Sequence, residues 1–176
     1  MKMTTATQPT VGASHTVSRV FDAPRELVWK ANTEGERMGQ WLAPKGFTAL
    51  VKSMDFRIGG VYHYAQISED KSTYMWGKIT YKEIHPIEKL VFIQSFSDEN
   101  GGIGTHPMAP LWPKEMLSSN TFEDMGGNKT RMSVEWAPYN ASPEEQAFFD
   151  GARDGITGGW NGSFDHLAAY LKSAQP

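Results

Sequence analysis

The sequence predicts an α+β fold in which a seven-stranded antiparallel sheet curves around one long C-terminal helix. Three observations predict it. Seven segments carry strand patterning and most are separated by turns short enough for hairpins. One apolar stripe with helical period runs from Phe149 to Leu171 near the C-terminus. The 176 residues also hold 6 Trp, 9 Phe, 6 Tyr and 9 Met, enough aromatic and thioether surface to over-fill a core or to line a cavity.

The elements follow in order. Residues 1–14 are rich in Thr, Pro and Gly without periodicity and read as a flexible tail. Residues 15–173 contain no linker, repeat or low-complexity stretch and read as a single domain. His15 to Phe21 alternates and forms the first strand. Asp22 is placed to cap a short helix with Pro24 in its first turn, carrying Leu27, Val28 and Ala31 on one side. A second short helix, Glu34 to Trp41, is broken at Ala43-Pro44-Lys45-Gly46. Six strands follow: Phe47 to Arg57, Val61 to Ser68, Thr73 to Ile84, Lys89 to Phe96, Glu115 to Asp124, and Lys129 to Trp136. Gly59-Gly60, His85-Pro86 and Gly126-Gly127-Asn128 mark turns between them. Ser142-Pro143-Glu144-Glu145 then combines a capping box with proline at the first helical position. From there Phe149, Ala152, Ile156, Trp160, Phe164, Leu167 and Leu171 recur at three- and four-residue steps in one helix.

Composition excludes several classes. Lys+Arg 17 against Asp+Glu 20 leaves a formal charge of −3 with no basic block, which argues against a nucleic-acid partner. The absence of cysteine removes disulfides, thiolate metal sites and cysteine nucleophiles. No apolar run is long enough to insert in a membrane, and the N-terminus lacks a signal-peptide core, so a cytoplasmic location is expected. The five histidines show no metal-ligand spacing, and no P-loop, GxGxxG or GxSxG occurs. No catalytic residue, metal or cofactor is assigned. His63 alternates with the tyrosines of its strand and is expected at the surface. Trp76 falls on the lysine-bearing face with Lys78 and Lys82, unless a bulge at Gly77 flips it.

Several segments resemble a known family. Gln40-Trp41-Leu42-Ala43-Pro44-Lys45-Gly46-Phe47, Asp55-Phe56-Arg57-Ile58-Gly59-Gly60, the stretch Leu90 to Glu99, Thr121-Phe122-Glu123 and the stretch Gly159 to Leu171 are similar, in order, to signature segments of the SRPBCC (START/birch-pollen-allergen-like) superfamily. The branch they resemble is that of activator of heat-shock-protein-90 ATPase homologues. The resemblance implies a helix-grip fold with two short helices after the first strand and a cavity between sheet and C-terminal helix. It also implies binding of a small apolar or amphipathic molecule. Two other roles occur among such relatives: a co-chaperone-like interaction domain with a chaperone partner, and a polyketide-cyclase-like enzyme. Fold alone does not choose among them.

Strand phase nominates the lining of such a cavity. The face opposite the charged residues carries Tyr62, Tyr64, Gln66, Ile79, Tyr81, Met116, Ser118, Asn120, Met132 and Trp136. Trp41 and the helix residues Ile156, Trp160 and Phe164 complete the set. A packed core whose few polar groups satisfy one another fits the same list. For an enzyme, Tyr62, Tyr64, His106 and Asn120 are the groups that would polarise a carbonyl. Across Leu90 to Phe96 both faces are apolar and the phase stays open. The long segment Ser97 to Lys114, with His106, Met108 and Trp112, reads as a lid over an opening or as a surface loop. Gly151, Gly155, Gly158 and Gly162 form a stripe nearly opposite the apolar helix face, at about 100° per residue. That stripe suggests close approach of a second copy in a homodimer, or tertiary tolerance of the glycines.

Overall fold

The computed structural model describes residues 7–176; the first six positions of the expected tail lie outside the described residues. The chain forms β1 (His15–Phe21), α1 (Arg25–Thr33), α2 (Gly35–Met38), β2 (Phe47–Met54), β3 (Val61–Ser68), β4 (Tyr74–His85), β5 (Lys89–Phe96), β6 (Glu115–Gly126), β7 (Lys129–Tyr139), α3 (Pro143–Gly151) and α4 (Arg153–Ser173). The strands make one 7-stranded sheet in the order β1-β7-β6-β5-β4-β3-β2, antiparallel throughout. Strands β2 to β7 are a run of hairpins, and β1 returns to pair with β7, from His15 opposite Trp136 to Phe21 opposite Thr130. This is the sheet-around-helix architecture that the strand and helix periodicities predict. No helix among the described residues is long and apolar enough to cross a membrane.

Four local expectations are corrected. Residues 10–12, assigned to the tail, lie against the end of β7. Gly12 N–H donates to the Pro138 carbonyl at 2.8 Å and Asn140 N–H to the Thr10 carbonyl at 2.9 Å. Pro24, not Asp22, is the N-cap of α1 and makes no side-chain cap bond, while the Asp22 carboxylate accepts from Lys129. The second short helix is a single turn ending at Met38. The C-terminal helix is two helices. The capping box at Ser142 and Glu145 starts α3, but Ala152 leaves the helical region (φ −98°, ψ 1°) and its N–H bonds only three residues back, to Phe149. Arg153 fastens the break, donating to the Ser14 carbonyl at 2.6 Å and to Asp150 at 2.7 Å. The apolar face survives the break, since Phe149 and Ile156 are buried on either side of it.

The buried residues fall into two groups. The larger packs α1 and the C-terminal half of α4 against the sheet, with Phe21, Val28, Tyr62, Met132, Phe164 and Leu167 at its centre. The smaller, Met116, Phe149 and Ile156 with Trp112, Trp136 and Trp160 around them, lies at the other end of the helix. Along β5, Leu90 and Phe92 belong to the main core, which sets the phase that the sequence leaves open. Phe164 is 0% exposed and meets Phe21 edge-on at 5.6 Å, so it fastens α4 to β1. Phe164→Ala is therefore expected to cost about 3–5 kcal/mol in urea unfolding. A loss within the roughly 0.5 kcal/mol typical of surface changes would contradict this anchoring.

Candidate functional site

Between the inner face of the sheet and the N-terminal half of α4 lies a cavity of about 720 Å³. It exists because α4 is unequal along its length. Its C-terminal half carries Phe164, Leu167 and Leu171 and packs on the core. Its N-terminal half offers Ile156 and Trp160 among glycines and does not fill the space above the sheet. Gly151, Gly155 and Gly159 border the cavity, and a Cβ on any of them would meet nothing within 4 Å. Glycines of the stripe that suggested a dimer thus rim an opening; Gly158 and Gly162 are exposed beside it.

Of the residues nominated from sequence, Trp41, Tyr64, Gln66, Ile79, Tyr81, Asn120, Trp136, Ile156 and Trp160 line this cavity. His106 and Trp112 from the Ser97 to Lys114 segment join them. Others do not. Tyr62 lies beneath Tyr64, stacked at 4.9 Å, and belongs to the core. Met132 is covered by α1, whose Asn32 amide reaches its sulfur at 3.7 Å. Phe164 is spent on the core. Ser118 is buried and donates to Asn120 Oδ1 at 3.0 Å. Met116 lines a smaller neighbouring void, and Met108 is 84% exposed on the outside of its loop. Phase alone cannot tell a lining residue from one a layer deeper.

The lining also includes Asn32, Met38, Leu42, Phe92, Gln94 and Ser163, which the sequence reading missed. Gln94 was not within reach of it, because both faces of Leu90 to Phe96 are apolar and the phase there stays open in the sequence. Nor was Asn32, since its α1 position carries no sign of facing the sheet.

Several polar groups are fixed by bonds within the wall, while the buried Tyr81 hydroxyl and Trp136 Nε1–H have no partner among the described residues. Trp41 Nε1–H donates to the Ala31 carbonyl at 2.8 Å, closing the end of α2 onto α1. Gln66 Nε2–H donates to the Leu42 carbonyl at 3.2 Å, and Gln94 Nε2–H to Tyr64 Oη at 3.1 Å. These bonds leave further capacity free: the second Nε2–H and the carbonyl oxygen of Gln66 and of Gln94, the Tyr64 hydroxyl proton and the Asn120 amide N–H groups. Among the described residues no Lys, Arg, Asp or Glu lines the cavity. Burial raises the Tyr64 hydroxyl above its ordinary range, opposed by the Gln94 bond, and burial also raises Tyr62 and Tyr81. The phenols therefore stay protonated at any physiological pH. Burial lowers His106, and its Nδ1 accepts the Met108 N–H at 3.0 Å, so the ring is neutral with its proton on Nε2. Among the described residues no three His, Asp or Glu side chains converge as metal ligands. The wall suits binding and orientation of a molecule more than acid–base chemistry.

The segment after β5 divides in two. Its first part closes on itself, with Asp98 Oδ1 accepting from Asn100 and Gly102 N–H at 2.8 and 2.9 Å, bonds that depress the Asp98 carboxyl. That part lies on the outer face of the sheet. Its carbonyls accept from Lys52 (at Glu99), from His63 (at Asp98, 3.0 Å) and from Lys78 (at Gly101, 2.8 Å). His63, expected at the surface, is buried here against Trp76 at 5.1 Å. Trp76 keeps the outward phase read from its lysines. The second part carries His106 and Trp112 to the cavity.

Two outcomes are expected. A methyl at Gly77 would lie 2.6 Å from Tyr64 Cζ and Oη, so Gly77 is the slot through which the phenol crosses β4 to reach Gln94. Gly77→Ala should cost about 1–3 kcal/mol by overpacking. Tyr64→Leu in the same chain should recover most of that loss, and a strictly additive double mutant would deny the contact. Second, the neutral form of His106 is favoured in the fold. Its contribution is whole above the ordinary value of 6.5 and fades as pH falls below it. Tryptophan emission should shift over that interval and should stay flat in His106→Gln.

Residues 22–172 match the family described as Activator of Hsp90 ATPase homolog 1-like protein. No curated protein matches the chain. Among solved structures, a protein of Arthrobacter aurescens is similar at 23% identity and TM-score 0.73, covering 93% of this chain and 91% of its own. One from Chromobacterium violaceum is similar at 23% identity and TM-score 0.65, covering 90% and 96%. The AHSA1 protein of Silicibacter pomeroyi is similar at 16% identity and TM-score 0.67, covering 93% and 100%. At these identities the structures attest the helix-grip fold alone. With most of its length matched, from the end of β1 to the last turn of α4, the chain belongs to the Activator of Hsp90 ATPase homolog 1-like family.

Proposed function

We propose that this protein holds a small, largely apolar, uncharged group in the cavity between sheet and α4. The observation that carries the reading is the cavity itself: about 720 Å³, walled by aromatic and aliphatic side chains, with a few oriented amides, two phenols and no formal charge among the described residues. The family name points to a chaperone partner instead. A domain that works only through its outer surface gains nothing from such a void, whose lining forfeits dispersion contacts wherever it stays empty. The wall's polar groups support the same reading, because those bonded internally keep spare donors and acceptors, and the unpartnered Tyr81 hydroxyl and Trp136 Nε1–H add more, all placed to orient a guest.

Nile red, a neutral apolar dye, is the first probe. It is expected to bind one to one with a blue-shifted emission, and to raise the melting temperature. At a free concentration of 100 times Kd the stabilisation is about 2.7 kcal/mol. Gly155→Leu puts a side chain across the opening and should weaken the dye about tenfold. The same change should raise stability in the absence of dye, since a helix-interior glycine costs roughly 1 kcal/mol against ordinary helix formers. Unchanged emission and melting temperature at saturating dye would overturn the proposal, and retention of a host chaperone in a pulldown would then favour the interaction domain.

A further inference from the structure

Beside the main cavity lies a second void of about 250 Å³, at the end of the sheet where β4 begins and β5 ends. Six residues line both: Tyr64, Gln66, Gln94, His106, Trp112 and Trp136. A single layer of side chains therefore divides the two spaces. Two of the six, His106 and Trp112, stand on the irregular segment before β6 rather than on a strand. The remaining walls of the small void are mostly apolar, with Met75, Phe96, Pro113 and Met116 among them, and Ser95 and Lys114 are their polar members.

Charge separates the two spaces. Across both linings Lys114 is the sole formally charged side chain among the described residues, and it belongs to the small void alone. It is exposed and makes no ion pair among the described residues. An ionised group drawn into the main cavity would lose its water and find no counter-charge. At Lys114 the same group keeps both water and a cation, while its apolar remainder reaches the main cavity past the Tyr64–Gln94 pair.

From this arrangement we infer that the small void is a second compartment of one ligand site. It receives the carboxylate end of an apolar acid at Lys114, and the main cavity takes the hydrocarbon body. The inference rests on the ligand-holding reading above and narrows it to amphipathic monocarboxylic acids.

The test uses the full chain at pH 8 and isothermal titration with dodecanoate and 1-dodecanol, both below their aggregation limits. Dodecanoate is expected to bind about three- to fivefold more tightly, the range that one partly exposed ion pair supplies. Lys114→Met should bring the ratio to one without moving the dodecanol affinity. Met75→Trp, which fills the small void and does not touch the main cavity, should weaken dodecanoate at least tenfold and leave Nile red binding unchanged. Equal binding of acid and alcohol overturns the inference, as does an acid preference that survives Lys114→Met. So does a failure of dodecanoate to bind a protein that still binds Nile red. In each of those cases the cavity reading stands; failure of Nile red as well would bring down both.

Discussion

A row of aromatic rings decides how far α4 stands from the sheet, and most of the structure follows from that distance. Trp112 meets Trp136 at 6.1 Å, Trp136 meets Trp160 edge-on at 5.4 Å, and Trp160 meets Phe164 at 5.6 Å. Beyond Trp160 the helix descends onto the core through Phe164, Leu167 and Leu171. Before Trp160 it carries glycines and reaches the sheet only through Ile156, which packs in the smaller cluster with Met116. The indole pair acts as a prop between an end packed flat on the core and an end held at its margin by Arg153 on the Ser14 carbonyl. Rings of that size at 5–6 Å resist collapse because their closest packing is already reached. The cavity is thus the space that the prop maintains, and not a packing fault.

What lines that space is electrically quiet by construction. The Gln66 and Gln94 amides, the Tyr64 phenol and Trp41 each make a hydrogen bond within the wall, which fixes their rotamers, while the buried Tyr81 hydroxyl and Trp136 Nε1–H have no partner among the described residues. The Tyr64 phenol shows how closely this is tied to the backbone: it lies across Gly77, where a methyl would come within 2.6 Å of it, and ends on Gln94 two strands away. Burial keeps the phenols protonated and His106 neutral, so the wall presents dipoles and no ions. Such a surface orients a neutral group without drawing in bulk water, and it repels an isolated charge.

The outer face of the sheet bears on the same site. The loop after β5 is clamped there by Lys52, His63 and Lys78, all donating to its carbonyls. Because its first part is held to the outside, its second part must cross the end of the sheet to reach β6. That crossing brings His106 and Trp112 to the cavity. One loop therefore covers two faces.

Much of this was legible in the sequence, for reasons that are local. Alternation along β7 and β1, the capping box at Ser142 and Glu145, and the stripe from Phe149 to Leu171 report backbone geometry directly, since side-chain period follows strand and helix dihedrals. The same phase picked out Tyr64, Gln66, Ile79, Tyr81, Asn120 and Trp136 on the inner face. What phase cannot report is depth. Tyr62, Met132 and Phe164 point inward as well, but α1 and the lower half of α4 cover them, and that covering depends on where two remote segments meet. The burial of His63, the break at Ala152 and the inward turn of Asn32 have the same character: each is set by a partner 35 or more positions away, the Asp98 carbonyl at 3.0 Å, the Ser14 carbonyl at 2.6 Å and the Met132 sulfur at 3.7 Å. The sequence by itself determined which residues share a face. Tertiary structure alone decided which of them meet a neighbour and which meet a void, because a void is defined by what fails to pack against it.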